Sequence, residues 1–151
     1  MRAAVEGLAE LPVRVLATWN RRPLSGSLHL PANARLVEWV SYSRTMPRCD
    51  IVVCHAGHGT VARALEAGCA VVAVPAAGDM NENAARVDWA GVGVRLPGRY
   101  TSPRGLRLAV GRALAEPARR RRARELAAWA HAVDPPAVAA QLVEDLARRG
   151  G

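Results

Sequence analysis

The residues best placed to do chemistry stand in one run, Cys54-His55-Ala56-Gly57-His58-Gly59-Thr60. The run directly follows an apolar stretch, IVVC at 51–54, and directly precedes a helix-forming stretch. Glycines let a backbone come close to an anion. The first turn of a helix leaves N–H groups free at its positive end. An imidazole at His55 and a hydroxyl at Thr60 add further donors. That chemistry is the holding of a phosphate. The same residues also suit a plain glycine turn with Thr60 as a helix cap, so the turn alone leaves both readings open.

A phosphate turn of this kind needs a strand ahead of it and a helix behind it. Strands are predicted at 13–18 (VRVLAT), 35–39 (RLVEW), 51–54, 70–74 (AVVAV) and 92–96 (VGVRL). The run at 51–54 has the wholly apolar character of a strand buried on both faces. Helices are predicted at 41–47, at 60–67 ending before Gly68, and at 81–90 ending before Gly91. Glycine just past a helix is a stop signal. From Pro103 onward the pattern is helical, with Ser102 as N-cap and Pro103 in the first turn. Two more helices follow at 118–132 and 136–149. Strands alternating with helices imply an α/β fold, a Rossmann-like parallel sheet flanked by helices, with a helical C-terminal tail. Residues 5–11 read as the tail of a helix feeding the first strand. A doubly wound domain usually opens on a strand, so the chain is expected to be a piece of something larger or a shortened relative.

Composition narrows the class. At 151 residues the chain is one domain's worth. Its 50% hydrophobic content, set in periodic patterns, excludes disorder as the main state. Three cysteines are too few and odd in number for a disulfide scaffold. No apolar run is long enough for a bilayer-spanning helix, and the first residues do not resemble a secretory signal, so a cytoplasmic location is expected. The formal net charge is +8, and all 21 cationic residues are Arg, with Lys and Phe absent. A basic surface suits phosphates, nucleic acid or an anionic membrane. A phosphate-bearing small ligand is the favoured partner. The aromatic interleaving with which single-strand binders stack bases is missing.

The stretch HAGHGTVARALEAGCAVVAVPAAGDMNENAARVDWAGVGVRL, residues 55–96, resembles the nucleotide-sugar-binding box of GT-B fold family 1 glycosyltransferases. That box runs H-x-G-x-G-T, a glycine, an apolar strand ending in Pro, Asp-Gln, Asn-Ala and G-x-G. The upstream RLVEWV, residues 35–40, is similar to the family's Trp-containing segment. The resemblance spans about 13–115 and implies one donor-binding domain, residues 1–151, with the N-terminal acceptor-binding domain absent.

The resemblance also implies roles. Trp39 stacks on the pyrimidine base and the Val40 backbone holds its edge. His55 and the backbone from Gly57 through His58 and Gly59 to Thr60 hold the diphosphate. Asp79 accepts from sugar hydroxyls, and a capping role at the next helix is compatible with that. Asn83 ties the loop to that helix. The implied donor is a UDP-sugar or dTDP-sugar, with no separate cofactor. Met80 stands where the family has Gln and cannot donate, which favours a deoxy or otherwise altered sugar. Arg63 stands where many plant members carry a ribose-binding Glu, and Tyr42 where they carry a Gln.

The family's catalytic His lies in the acceptor domain, and none of His29, His55, His58 or His131 matches it. No catalytic residue is therefore assigned. The resemblance implies an inverting transfer; without a metal-ligand cluster or acidic pair, metal independence is expected as well, with little activity from this domain alone. Two alternatives stand beside it. One is the donor subunit of a split glycosyltransferase with a separate acceptor-domain partner and possible peripheral membrane contact. The other is a degenerate nucleotide- or nucleic-acid-binding module. Among weaker features, residues 119–122 (RRRR) read as a solvated helix face. Trp89 and Trp129 read as core. Ala127, Ala130, Val138, Leu142 and Leu146 read as ordinary helix packing, and Cys54 and Cys69 as buried free thiols.

Overall fold

Short apolar runs separated by helix-length segments give parallel strands, because each helix returns the chain to the starting end of the next strand. The structure is a computed structural model that describes residues 1–21 and 26–149. Its strands are β1 (Val15–Thr18), β2 (Ala34–Val37), β3 (Ile51–Cys54), β4 (Ala70–Ala73) and β5 (Gly93–Arg95). Its helices are α1 (Arg2–Gly7), α2 (Tyr42–Thr45), α3 (His58–Glu66), α4 (Met80–Trp89), α5 (Pro103–Ala115), α6 (Pro117–Ala132) and α7 (Pro135–Arg149). Every strand pair is parallel, but the pairing falls into two groups: β1 with β2, and β3-β4-β5 in that order.

β4 is the buried centre. Its four residues are fully shielded, and successive side chains point to opposite faces. Val71 and Ala73 join Val61 and Ala64 of α3, Ala84 and Val87 of α4, and Ala123 of α6. Val72 joins Val94 and Leu96 against Leu106, Ala109, Val110 and Ala113 of α5, with Leu8 beyond the end of α1. Helices therefore cover both faces. Each fully buried valine contributes about 1.5–3 kcal/mol. α1 seats on the start of α5 because residue 7 is glycine: a Cβ there would stand 2.2 Å from the Pro103 carbonyl oxygen.

The predicted elements form, with shifts of a few residues at their ends. Ser102 caps α5 as expected, its Oγ accepting from Gly105 N–H at 3.0 Å. Gly68 and Gly91 adopt the left-handed backbone that ends α3 and α4. Several expectations fail. β3 is only half-buried, because among the described residues β4 is its sole hydrogen-bonded neighbour; full shielding falls to β4 instead. Trp89 and Trp129 face solvent, 90% and 64% exposed, because Ala84 and Val87 take the inward positions of α4, and Ala123 and Ala127 those of α6.

Nor does α7 pack as predicted: it buries nothing, and Val138, Leu142 and Leu146 lie open. The arginine run is not uniformly solvated either. Arg119 is buried, donating through Nε to Glu116 at 2.7 Å and through Nη1 to the Gly93 carbonyl, with Asp88 at 3.6 Å. Arg120 pairs with Asp50 at 2.6 Å and Arg122 with Glu125 at 3.0 Å.

The cysteines are free. Cys69 is buried as expected, its thiol donating to the carbonyls of Met46 and Cys49; Cys54 is not, being only half-buried because it ends the half-buried strand β3. Burial first, then the neighbouring Cys49 and Asp50, push the Cys69 thiol up to about 11, so almost no thiolate exists there at neutral pH. Among the described residues no helix is long and apolar enough to cross a membrane.

Arg119 ties α6 to β5, so removing it strands a buried carbonyl. Arg119→Ala is expected to lower the unfolding free energy by about 2–3 kcal/mol, read from urea denaturation followed by circular dichroism.

Candidate functional site

Parallel strands bring their carboxyl ends to one rim, and the polar turns gather there. The turn after β3 is held in an unusual shape. Ala56 is fully buried with a left-handed backbone, φ 63°. For a residue with a Cβ that costs about 1–2 kcal/mol. The cost is offset from α4: Asn83 Nδ2 donates to the Ala56 carbonyl at 3.1 Å. Asn83 thus ties α4 to the turn after β3, a structural role toward a different loop from the Asp79 loop for which it was expected.

Gly57 is the extended N-cap of α3 and offers no side chain to its first turn. Its carbonyl accepts from Thr60 and Val61 N–H at 3.0 and 3.1 Å. The amides of His58 and Gly59 have no backbone acceptor among the described residues, as the opening turn of a helix requires. The exposed His55 ring lies over Gly57; its Nε2 would stand 2.7 Å from a Cβ placed there. A Cβ on Gly59 would meet nothing, so the space above these amides is open. His58 is exposed and Thr60 half-buried.

Trp39 stands just past the end of β2 and is 56% exposed. The strand was predicted to run through Trp39; it stops at Val37, which leaves the indole on the rim. A cavity of about 350 Å³ is lined there by Asn20, Trp39, Val40, Tyr42 and Arg63, with Ser41 and Ser43. Arg63 is the link between the two halves of the rim. It sits on α3, the helix that this turn opens, and lines both this cavity and the neighbouring hollow that reaches Arg124 and His131. It makes no ion pair among the described residues and is a free cation beside the indole.

Asn20 was not anticipated. It lies beyond β1 with φ 50°, followed by Arg21 with φ 59°, and Arg21 N–H donates to the Glu38 carbonyl at 3.3 Å. Asn after a strand is a left-handed turn signal that could have flagged it. Asp79 is exposed at the N-cap of α4, but its carboxylate makes no capping bond; Asn83 Nδ2 is 3.5 Å away. Met80 turns inward and packs against the core cluster of α3, α4 and α6.

Open amides, a free guanidinium and an exposed indole on one rim have the chemistry of a nucleotide site, and the comparisons with known proteins fall in line with it. Residues 2–146 match the family described as erythromycin biosynthesis protein CIII-like, C-terminal domain. The chain belongs to that family. It is 36% identical over 143 residues to 4'-demethylrebeccamycin synthase of Lentzea aerocolonigenes, a match covering 95% of this chain and 34% of the relative.

Among solved structures it is similar to the glycotransferase of kitacinnamycin, with TM-score 0.83 and 30% identity over 95% of this chain and 38% of the other. It is similar also to the spinosyn rhamnosyltransferase SpnG complexed with thymidine diphosphate, with TM-score 0.79 and 26% identity over 94% of this chain and 39% of the other. The chain spans about a third of the length of the curated relatives it matches. The fold is that of the C-terminal half of GT-B glycosyltransferases, as the resemblance of residues 55–96 implied.

The hold of α4 on the turn rests on one donor. Asn83→Asp sets a carboxylate against the Ala56 carbonyl and is expected to cost about 1–3 kcal/mol, measured as a lowered urea midpoint with unchanged slope.

Proposed function

We propose that this chain is the donor-binding domain of a glycosyltransferase, taking a nucleoside-diphosphate sugar whose nucleotide is of the dTDP type. The observation that carries the reading is the open space at Gly59 in the turn that presents the His58 and Gly59 amides, with Arg63 of the helix opened by that turn lining one cavity with the exposed Trp39. The dTDP type is supported by the similarity to SpnG complexed with thymidine diphosphate.

In this reading the indole of Trp39 stacks on the base, where a flat apolar face gains most, and the Val40 backbone meets the base edge. His55 and the backbone of Gly57, His58, Gly59 and Thr60 hold the diphosphate, with Arg63 as a further cation. Asp79, exposed and uncommitted to capping, accepts from sugar hydroxyls. Met80 offers no donor beside it, which suits a deoxy sugar.

The contribution of these residues to transfer is electrostatic. As the bond from the anomeric carbon to the diphosphate breaks, charge grows on the leaving oxygens. Amides already oriented toward that point stabilise it without reorganising. Attack by the acceptor hydroxyl from the opposite face inverts the anomeric centre. These amide and cationic donors are the reason we read the transfer as metal-independent. The base that deprotonates the acceptor is supplied outside this chain, by an N-terminal acceptor domain or a partner subunit, so 1–151 alone is expected to bind donor and to transfer little.

Isothermal calorimetry tests the reading. The chain is expected to bind dTDP with measurable heat, and absence of heat with dTDP, UDP and their sugars would overturn it. Trp39→Ala is expected to weaken binding by about 10–100-fold, the range for loss of one stacked base. Gly59→Ala places a methyl in open space above the amides. It is expected to weaken binding about 10-fold while stability shifts by no more than about 0.5 kcal/mol.

A further inference from the structure

A second hollow, of about 420 Å³, opens between the end of α3, the second half of α6 and the residues from Tyr42 to Pro47. It shares Tyr42, Ser43 and Arg63 with the cavity beside Trp39, but is lined by neither the indole nor the turn after β3. Sites for small organic molecules have volumes of roughly 300–1,000 Å³, so this hollow has room for one. Its floor is apolar and its edge is charged. Ala127 is buried and Ala67 and Gly68 are half-buried, while Arg63, Glu66, Arg124 and His131 are exposed.

Gly68 sets the shape of the floor. A Cβ there would stand 3.3 Å from Arg124 Cγ and 3.9 Å from Ala127 Cβ, so a residue without one lets α6 close on the end of α3. The hydrocarbon stem of Arg124 lies over Gly68, and long cationic side chains that lay a stem on apolar surface keep the charged head in water. The guanidiniums at the edge have no carboxylate of their own. On α6, Arg119, Arg120 and Arg122 pair with Glu116, Asp50 and Glu125. Arg63 and Arg124 form no ion pair among the described residues, and Glu66 pairs with neither although it lines the same hollow. Two guanidiniums against one carboxylate leave the edge net positive whatever the state of His131. One added carboxylate balances that charge when His131 is neutral, whereas a phosphate dianion exceeds it.

The geometry points to a binding site for a small organic monoanion, an apolar body carrying one carboxylate, separate from the nucleotide cavity. The carboxylate meets the guanidiniums of Arg63 and Arg124, whose planar N–H donors match its two oxygens. The body covers Ala67, Gly68 and Ala127 and takes their apolar surface out of water. The site stands apart from the nucleotide reading: it uses neither Trp39 nor the amides of His58 and Gly59, and its occupant binds with no nucleotide present.

Amide NMR spectra of the 151-residue chain, recorded without nucleotide, provide the test, with 3-phenylpropionate as the probe. The probe is expected to shift the Ala67, Gly68 and Ala127 resonances with a dissociation constant of about 1 mM, and to leave that of Gly59 in place. 3-Phenylpropanamide has the same shape without the charge and is expected to bind about 10-fold more weakly, the loss that follows removal of one charge-assisted hydrogen bond. Inorganic phosphate is expected to shift none of these resonances. Arg124→Gln keeps a polar stem and removes the charge, and Pro47→Asp sets a carboxylate on an exposed wall. Each is expected to weaken the probe about 10-fold with the urea midpoint unchanged. Four results would each overturn the proposal: no shift at Ala67, Gly68 and Ala127, equal affinity for the amide, equal affinity for inorganic phosphate, or undiminished binding to either folded variant.

Discussion

Four residues, Ala70–Ala73, are bonded on both edges and covered on both faces, and the remainder of the fold is positioned from them. A strand satisfied on every side cannot slip, because a one-residue shift would turn Val72 and its neighbours to the wrong layer. β3 takes its register from β4, and the end of β3 sets where the turn at Ala56 begins. α4, which follows β4, returns Asn83 to that same turn. The candidate site is thus fixed from two directions by elements that share one buried strand.

That arrangement divides labour between rigid and open parts. The turn after β3 is strained at Ala56, tethered by Asn83 and free of side chains at Gly57 and Gly59. It presents amides whose direction is set before any ligand arrives, which is what electrostatic stabilisation of a leaving group demands. Trp39, Tyr42 and Arg63 are larger, partly solvated side chains around a shallow cavity. They provide contact area and charge and can adjust to what they meet.

The sequence was most readable where one local rule decides. Gly68 and Gly91 mark helix ends because only a residue without a Cβ takes their backbone shape at no cost, and Ser102 with Pro103 marks a helix start. The position of the turn after β3 was legible because its glycines lie between an apolar run and a helix. Burial was less so. IVVC and AVVA look alike as strings, yet among the described residues only the second has neighbours on both sides. Arg119 and Arg121 sit in one run, but the first meets Glu116, Asp88 and the Gly93 carbonyl while the second faces water. Trp89 follows apolar spacing only loosely, and the inward places of α4 are already taken by smaller residues. Such outcomes depend on which elements come together, and no window along the chain contains that information.

Placement of the indoles has a spectroscopic corollary. Three of the four tryptophans, Trp39, Trp89 and Trp129, are more than half exposed, Trp19 is half-buried, and none belongs to either core cluster. The folded chain should therefore emit at long wavelengths, as a solvated indole does, and its emission maximum should move little on denaturation. A red-shifted spectrum is here the signature of the intact protein, and changes in emission intensity report on the surface rather than on the interior.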